Sequence, residues 1–140
     1  MPWPRWLRAN KPEPESSRRS AAFSELRKKL PGLRAFFVLG PGGDLLDFVA
    51  DAPGLDIPGF AGEYATLLRI VKRACKDAGM GNIEEQILIS SAALVLVQHF
   101  PNDHFVVSVC SPGEPLGRLR YELKRSLLYS SLSKLCHSKS

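Results

Sequence analysis

The sequence has 140 residues, 44% of them hydrophobic and 24% charged, with a formal net charge of +5. This size favours one globular domain with a short tail and leaves little room for a second domain. No apolar run approaches the roughly 20 residues of a membrane-spanning helix, and the start of the sequence lacks the apolar stretch of an export signal. We therefore expect a cytoplasmic protein without a membrane span.

The beginning of the sequence has the composition of a flexible tail, because prolines and tryptophans alternate with charged residues. We place this tail at residues 1–15, the domain at residues 16–136 and a second short tail at residues 137–140. Aromatic and basic side chains interleave in the first tail, which favours a weak contact with an acidic surface through Trp3, Arg5, Trp6 and Arg8. A tail without any binding role is the alternative.

The first folded elements are predicted to be a helix and a hairpin. A helix capped by Ser16 or Ser17 and ending at about Leu30 has apolar residues at spacings of three and four. Two apolar runs, Leu33–Leu39 and Leu45–Ala50, follow as strands. The Gly-rich turn between them is too short for a crossover and no helix follows it, so we predict an antiparallel hairpin rather than a phosphate-binding loop.

A loop over Asp51–Gly59 and a long amphipathic helix over Phe60–Ala78 come next. On a helical wheel one face is mostly apolar and should pack on the sheet; it comprises Phe60, Tyr64, Leu67, Leu68, Val71, Ala74, Cys75 and Ala78. The opposite face combines small and basic residues; it comprises Ala61, Ala65, Thr66, Arg69, Lys72, Arg73 and Lys76. This second face favours a partner surface, and ordinary solvation of an outer helix face is the alternative.

Three further strands and a last helix complete the prediction. The strands are Asn82–Ser90, Ala93–Phe100 and Phe105–Cys110, and the helix runs from Leu116 to about Leu135. Short connections between strands predict a five-stranded, largely antiparallel sheet in a three-layer α+β domain. The two terminal helices should share one face of the sheet and the middle helix should cover the other. The strands of mixed composition, Leu45–Ala50 and Asn82–Ser90, should be the edges.

The sequence does not favour an enzyme, a cofactor site or a metal site. The three histidines are far apart and match no catalytic or zinc-binding motif. The cysteines Cys75, Cys110 and Cys136 lie in or beside apolar patterns, as small buried residues do. Cys136 and His137 are adjacent but have no further ligand at a suitable spacing. Four aspartates, Asp44, Asp47, Asp51 and Asp56, are interpreted as a solvated rim.

The chain resembles a Roadblock domain of the dynein light chain family over about residues 20–135. The resemblance depends on the run Leu-Pro-Gly-Leu-Arg-Ala-Phe-Phe-Val-Leu from Leu30, the order of the elements, and the motif Leu-Gly-Arg-Leu-Arg that opens the last helix at Leu116. Bacterial members that regulate a small Ras-like GTPase are the nearest comparison. The resemblance implies a profilin-like fold and a homodimer in which the third strands pair edge to edge and the middle helices lie side by side.

Transferred to this sequence, the resemblance implies a dimer edge strand comprising Gln86, Ile87, Leu88, Ile89 and Ser90. The dimer helix would span residues 64–76. The implied function is a non-enzymatic homodimeric adaptor that binds a small GTPase or a motor-associated protein and acts as a scaffold or as a modulator of the GTPase cycle.

The distribution of charge along the sequence favours an alternative function. Residues 1–34 carry nine basic and three acidic residues, and residues 114–140 carry six basic and two acidic residues. Residues 35–113, in contrast, carry four basic and nine acidic residues. The two basic ends therefore also fit a binder of nucleic acid or of an anionic membrane surface.

Overall fold

A five-stranded antiparallel sheet organises the part of the chain that the structure, a computed structural model, describes, which is residues 15–126. The strand order is β2-β1-β5-β4-β3. The bounds are β1 (Leu33–Leu39), β2 (Leu45–Ala50), β3 (Glu85–Ile89), β4 (Leu94–Phe100) and β5 (His104–Cys110). The predicted arrangement is confirmed, since the three most apolar strands are central and the two mixed strands are the edges.

Within the described residues, three α-helices cover the two faces of this sheet: α1 (Glu15–Lys29), α2 (Ile57–Asp77) and α3 (Leu116–Arg125). Phe23 of α1 and Leu119 of α3 share one buried cluster with Leu96 of β4. Leu68 of α2 belongs to a second cluster with Val97, on the other side of the same strand. The structure therefore has the predicted three layers, with α1 and α3 on one face and α2 on the other.

The helix boundaries correct the sequence prediction at three places. Ser16 and Ser17 lie inside α1 rather than before it. The last three residues of the predicted loop, from Ile57, form the first turn of α2, where the Asp56 side chain accepts a hydrogen bond of 3.1 Å from the Gly59 N–H. Proline is tolerated in a first helical turn because the N–H it lacks has no intrahelical partner there. α3 ends at Arg125, because Ser126 has an extended backbone, and residues 127–135 of the predicted last helix lie outside the described residues.

The turn between β1 and β2 is built on glycine. Gly43 has φ of +83°, and its N–H donates to the carbonyl oxygen of Gly40 at 2.9 Å. A Cβ at Gly43 would lie 3.0 Å from the Cβ of Ala65 in α2. This left-handed conformation and close approach favour glycine, and they confirm that the Gly-rich segment is a turn.

Cys110 behaves as the sequence predicts for a small apolar residue, since it is fully buried in the cluster beneath α1 and α3. Burial raises the pKa of its thiol to about 12, with a smaller contribution from Glu114. The thiol therefore stays protonated and unreactive at neutral pH. Among residues 15–126, no helix is long and apolar enough to cross a membrane.

Candidate interaction surface

The outer edge of β3 is an apolar surface that no other described element covers. Within residues 15–126, β3 pairs only with β4. Ile87 is 41% exposed and Ile89 is 74% exposed, although both are large apolar residues of a strand. Open strand edges of this kind lead to association between chains unless charges, prolines or covering segments protect them.

The backbone hydrogen bonds show which residues of β3 present free groups at this edge. The His99 N–H donates to the Glu84 carbonyl, and the Ser90 N–H donates to the Ala93 carbonyl. Because successive residues of a strand point their backbone groups to opposite sides, the residues that face β4 are Glu84, Gln86, Leu88 and Ser90. The N–H and C=O groups at the open edge therefore belong to Glu85, Ile87 and Ile89.

This geometry refines the predicted edge strand. The strand begins at Glu85 and ends at Ile89, whereas Ser90 belongs to the following turn. There the Ser90 Oγ accepts hydrogen bonds from the N–H groups of Ala92 and Ala93, at 3.3 and 3.1 Å. A serine side chain that satisfies turn N–H groups in this way ends the strand. The role of the edge in dimerisation stays a prediction.

A bidentate ion pair ties the start of β3 to α3. The Arg120 Nε donates to both carboxylate oxygens of Glu85, at 2.9 and 3.0 Å, and the Nη2 atom also donates to Oε1. Glu85 raises the pKa of Arg120 through this hydrogen bond. Because the Glu85 charge is directed towards α3, it does not protect the open edge.

The buried face of α2 differs from the predicted one by almost a quarter turn of the helix. It comprises Ile57, Ala61, Tyr64, Ala65 and Leu68. Ala61 is 1% exposed and Ala65 is 4% exposed, so the two alanines assigned to an outer partner surface instead pack on the sheet. The reason is that the turn at Gly43 lies so close to Ala65 that only a small side chain fits.

This rotation exposes apolar residues that the wheel placed in the core or left unassigned. Leu67 is 44% exposed, Ile70 is 61% exposed, and Ala74 is also exposed. We call these three residues the apolar strip of α2. Ile70 was missed because on the helical wheel it lies between the two predicted faces. Its position beside Leu67 and Ala74 at spacings of three and four was the signal that could have found it.

Three basic residues and one threonine lie on the other outer side of α2. We call this set the basic strip and define it as Thr66, Arg69, Arg73 and Lys76. All four residues are exposed. Arg69 makes long contacts of 3.5 Å with the Gly42 carbonyl and the Thr66 hydroxyl. Lys72, predicted for the same surface, is half-buried and forms an ion pair with Asp103. Lys72 is therefore less available to a partner than the four residues of the basic strip.

A cleft of about 440 Å³ lies between α2, the segment that precedes β3, and the end of β4 with the turn that follows it. Its lining combines charged, amide and apolar side chains and comprises Lys72, Asn82, Ile83, Glu84, His99, Phe100, Asn102 and Asp103. The His99 ring meets Phe105 edge-on, with 4.4 Å between centroids. Burial lowers the pKa of His99 below its ordinary value of 6.5, and Lys72 lowers it further, while Asp103 acts in the opposite direction.

We expect the protein to lose stability as the pH falls below about 6.5. Below that value the unfolded chain binds a proton at His99, whereas the folded chain takes up this proton only at lower pH. The contribution of neutral His99 to the free energy of unfolding is therefore complete above pH 6.5 and is lost as the pH falls. In the variant His99→Phe this part of the pH dependence should disappear, because phenylalanine has no group that binds a proton. The fold should be retained, since a phenyl ring keeps the contact with Phe105. Urea unfolding at about pH 7.5 and 5.5 measures the effect. An equal loss in both proteins would contradict this role.

The other sequence candidates give no site among the described residues. Asp51 pairs with Arg27, and Asp56 caps α2, so these two aspartates have structural roles. In residues 15–126 no group of three His, Cys, Asp or Glu side chains is placed to hold a metal ion. Cys136, His137 and the Trp/Arg tail lie outside the described residues.

Comparison with known proteins gives matches among solved structures, whereas no family model and no curated protein matches the sequence. MglB of Myxococcus xanthus has a TM-score of 0.70 at 17% identity, over 91% of this chain and 94% of that chain. The gliding protein MglB of Thermus thermophilus has a TM-score of 0.69 at 16% identity, over 91% and 95%. A Roadblock domain of Streptomyces avermitilis has a TM-score of 0.65 at 17% identity, over 83% and 95%.

This protein has the Roadblock fold. The resemblance seen in the sequence is thereby confirmed for the architecture, including the five-stranded sheet and its three helices. The matches cover 94–95% of the length of each of these three structures. In this domain we take the open β3 edge and the two strips of α2 as the candidate interaction surfaces.

Proposed function

We propose that this protein is a homodimeric Roadblock-type adaptor that binds a small Ras-like GTPase and modulates its cycle without catalysing a reaction itself. The observation that carries the proposal is the open β3 edge, which combines free backbone groups with exposed isoleucines in a domain of the Roadblock fold. One of the matching structures is of an MglB with a tetrameric arrangement, with a TM-score of 0.67, so self-association occurs in a protein of this fold.

The positions of the free backbone groups suggest a register for the dimer. An antiparallel pair of β3 strands related by a two-fold axis at Ile87 pairs Ile87 with Ile87 of the partner subunit. Glu85 then lies opposite Ile89 of the partner subunit, and Ile89 lies opposite Glu85 of the partner subunit. All three outward-facing residues of each strand exchange backbone hydrogen bonds, which makes this register more favourable than one shifted along the strand.

The apolar strip of α2 is assigned to the dimer contact, and the basic strip is assigned to the GTPase. An exposed apolar strip next to a dimer interface is best covered by the same strip of the second subunit, because burial removes Leu67 and Ile70 from water. The basic strip then remains exposed to the GTPase. Its arginines and lysine favour an acidic patch on the partner and accelerate association.

Solution mass and GTPase binding together test the proposal. We expect light scattering at micromolar concentration to give twice the mass of the chain. We also expect a Ras-like GTPase of the source organism, loaded with a non-hydrolysable GTP analogue, to bind the dimer. A lone subunit whose β3 amides exchange freely with solvent would overturn the dimer. A dimer that binds no Ras-like GTPase in either nucleotide state would overturn the adaptor function.

A further inference from the structure

The outer side of α3 carries basic residues around an exposed tyrosine. Tyr121 is 59% exposed, and three exposed basic residues share its side of the helix. We call this set the α3 patch and define it as Arg118, Tyr121, Lys124 and Arg125. Leu119 and Leu123, on the other side of the helix, are fully buried in the core. Because these two leucines fix the rotation of α3, the patch points away from the domain.

Arg125 and Tyr121 are in direct contact within the patch. The Arg125 Cζ lies 5.2 Å from the centre of the Tyr121 ring, and Nη1 donates a hydrogen bond of 3.3 Å to the Tyr121 hydroxyl. A cation over an aromatic ring is attracted by the negative face of the ring. The pair therefore holds an apolar ring and a positive charge together on the surface. Side chains that combine an apolar body with a polar or charged tip suit the interface between water and lipid.

The neighbouring part of α1 extends the positive charge. The Lys29 Nζ lies 3.8 Å from the Glu122 carboxylate of α3, so the two helices are side by side. Lys28 and Lys29 are exposed, and Glu25 is paired with Lys28. The Glu122 side chain is only 12% exposed. The exposed charge on the described outer sides of α1 and α3 is therefore mainly positive.

Many acidic residues of the domain lie towards the opposite edge of the sheet. Residues 35–68 contain five acidic residues and no lysine or arginine. These acidic residues lie within β2, next to it, or at the start of α2. α3, in contrast, is tied to the other edge strand, β3, by the Arg120–Glu85 pair. An anionic surface is therefore attracted at α3 and repelled at the β2 edge.

We propose that the α3 patch docks the protein on an anionic membrane surface. Two helices side by side are about 20 Å wide, since each has a diameter of roughly 10 Å with its side chains. Such a surface is too broad for the major groove of DNA, which is about 12 Å wide. The face of Tyr121 is also covered by Arg125, so it is not free to stack on a base. Lipid headgroups need neither a protruding helix nor a free ring, and each basic residue near them adds attraction.

The proposed dimer would present two α3 patches on one side. The two-fold axis between antiparallel β3 strands is perpendicular to the sheet, so both patches would lie on the face opposite α2. The membrane and the GTPase would then contact opposite faces of the dimer. Two linked contacts strengthen binding without any new interaction. This bivalence rests on the proposed dimer, whereas the patch itself belongs to one subunit.

Flotation of the full chain with lipid vesicles tests the proposal. We expect binding to phosphatidylcholine vesicles that contain about 30% phosphatidylserine, and release from them when the salt is raised from about 0.1 to 0.5 M. The double variant Arg118→Glu and Lys124→Glu should lower the partition coefficient roughly tenfold or more, because it reverses two charges of the patch. Arg69→Glu with Arg73→Glu, which makes the same change in net charge on α2, should leave the partition coefficient nearly unchanged.

Two results would overturn the membrane contact. One is vesicle binding that does not need phosphatidylserine or that survives in the α3 variant, since the patch would then not be the lipid contact. The other is tighter binding to a DNA duplex of about 20 base pairs than to the vesicles, lost in the same variant, because this would assign the patch to nucleic acid.

The variant Ile87→Pro separates this proposal from the proposed dimer. If the dimer is correct, the monomeric variant should bind the anionic vesicles more weakly than the original protein, through one patch instead of two. If the dimer is wrong, Ile87→Pro should bind them as the original protein does, and the α3 variant should still lose binding. A failed membrane contact, in contrast, would leave the solution mass and GTPase binding as proposed.

Discussion

Replacement of Ile87 by proline is expected to convert the dimer into folded monomers. The Ile87 N–H faces the open edge, so proline at this position removes no hydrogen bond to β4. In the proposed register the change deletes two intersubunit bonds, one from each subunit. The dimer dissociation constant should rise roughly a hundredfold, since each bond contributes ~1 to 1.5 kcal/mol. Sedimentation equilibrium over a range of concentrations measures this change.

Leu88→Pro is the matched control for this experiment, because the Leu88 N–H faces β4 opposite Val95. Proline at position 88 removes a bond of the ladder within one subunit, and proline is unfavourable at such a position. We expect the free energy of unfolding to fall by about 2 kcal/mol or more. The two variants should thus separate association from folding. A dimer of unchanged affinity in Ile87→Pro would show that β3 is not the interface.

The sequence predicts well which strands are central and which are edges, because these assignments depend on patterns that many residues share. Continuous apolar runs mark the central strands, and mixed composition marks β2 and β3 as the edges. The edge position of β3 could therefore be expected without coordinates. The direction of its backbone groups could not, because a shift of one residue in the pairing register with β4 exchanges the inward and outward sets.

The orientation of α2 shows where a helical wheel fails. The wheel maximises the apolar character of one face and therefore buries Leu67 and Ala74. In the structure the side of the helix that carries Ala61 and Ala65 is buried instead, and Ala65 lies close to Gly43 in the β1–β2 turn. Such a contact joins residues far apart in sequence and leaves no periodic signal. The earlier start of α2, in contrast, was readable from Asp56 followed by Pro58, a helix-capping pattern.

Charge reversal in the basic strip is expected to abolish most of the affinity for the GTPase. The double variant Arg69→Glu and Arg73→Glu replaces two exposed positive charges on each subunit with negative ones. If the partner surface is acidic, we expect binding to weaken by roughly ten- to a hundredfold, mainly through slower association. Folding should be little affected, since the hydrogen bonds of Arg69 are long and its side chain is exposed. Surface plasmon resonance with the loaded GTPase at two salt concentrations measures the affinity and its electrostatic part.

A second double variant distinguishes a local surface from the total charge of the protein. Arg118→Glu and Lys124→Glu make the same change in net charge, but both residues are exposed on α3, on the opposite face of the sheet. This variant should keep nearly full affinity if the GTPase contacts α2. Equal weakening by both variants would mean that binding follows net charge alone. Unchanged binding in the α2 variant would remove the basic strip from the interface. A selective loss on α2 alone would locate the GTPase on the face of the sheet that also carries the apolar strip, so that one helix would serve both the dimer and its partner.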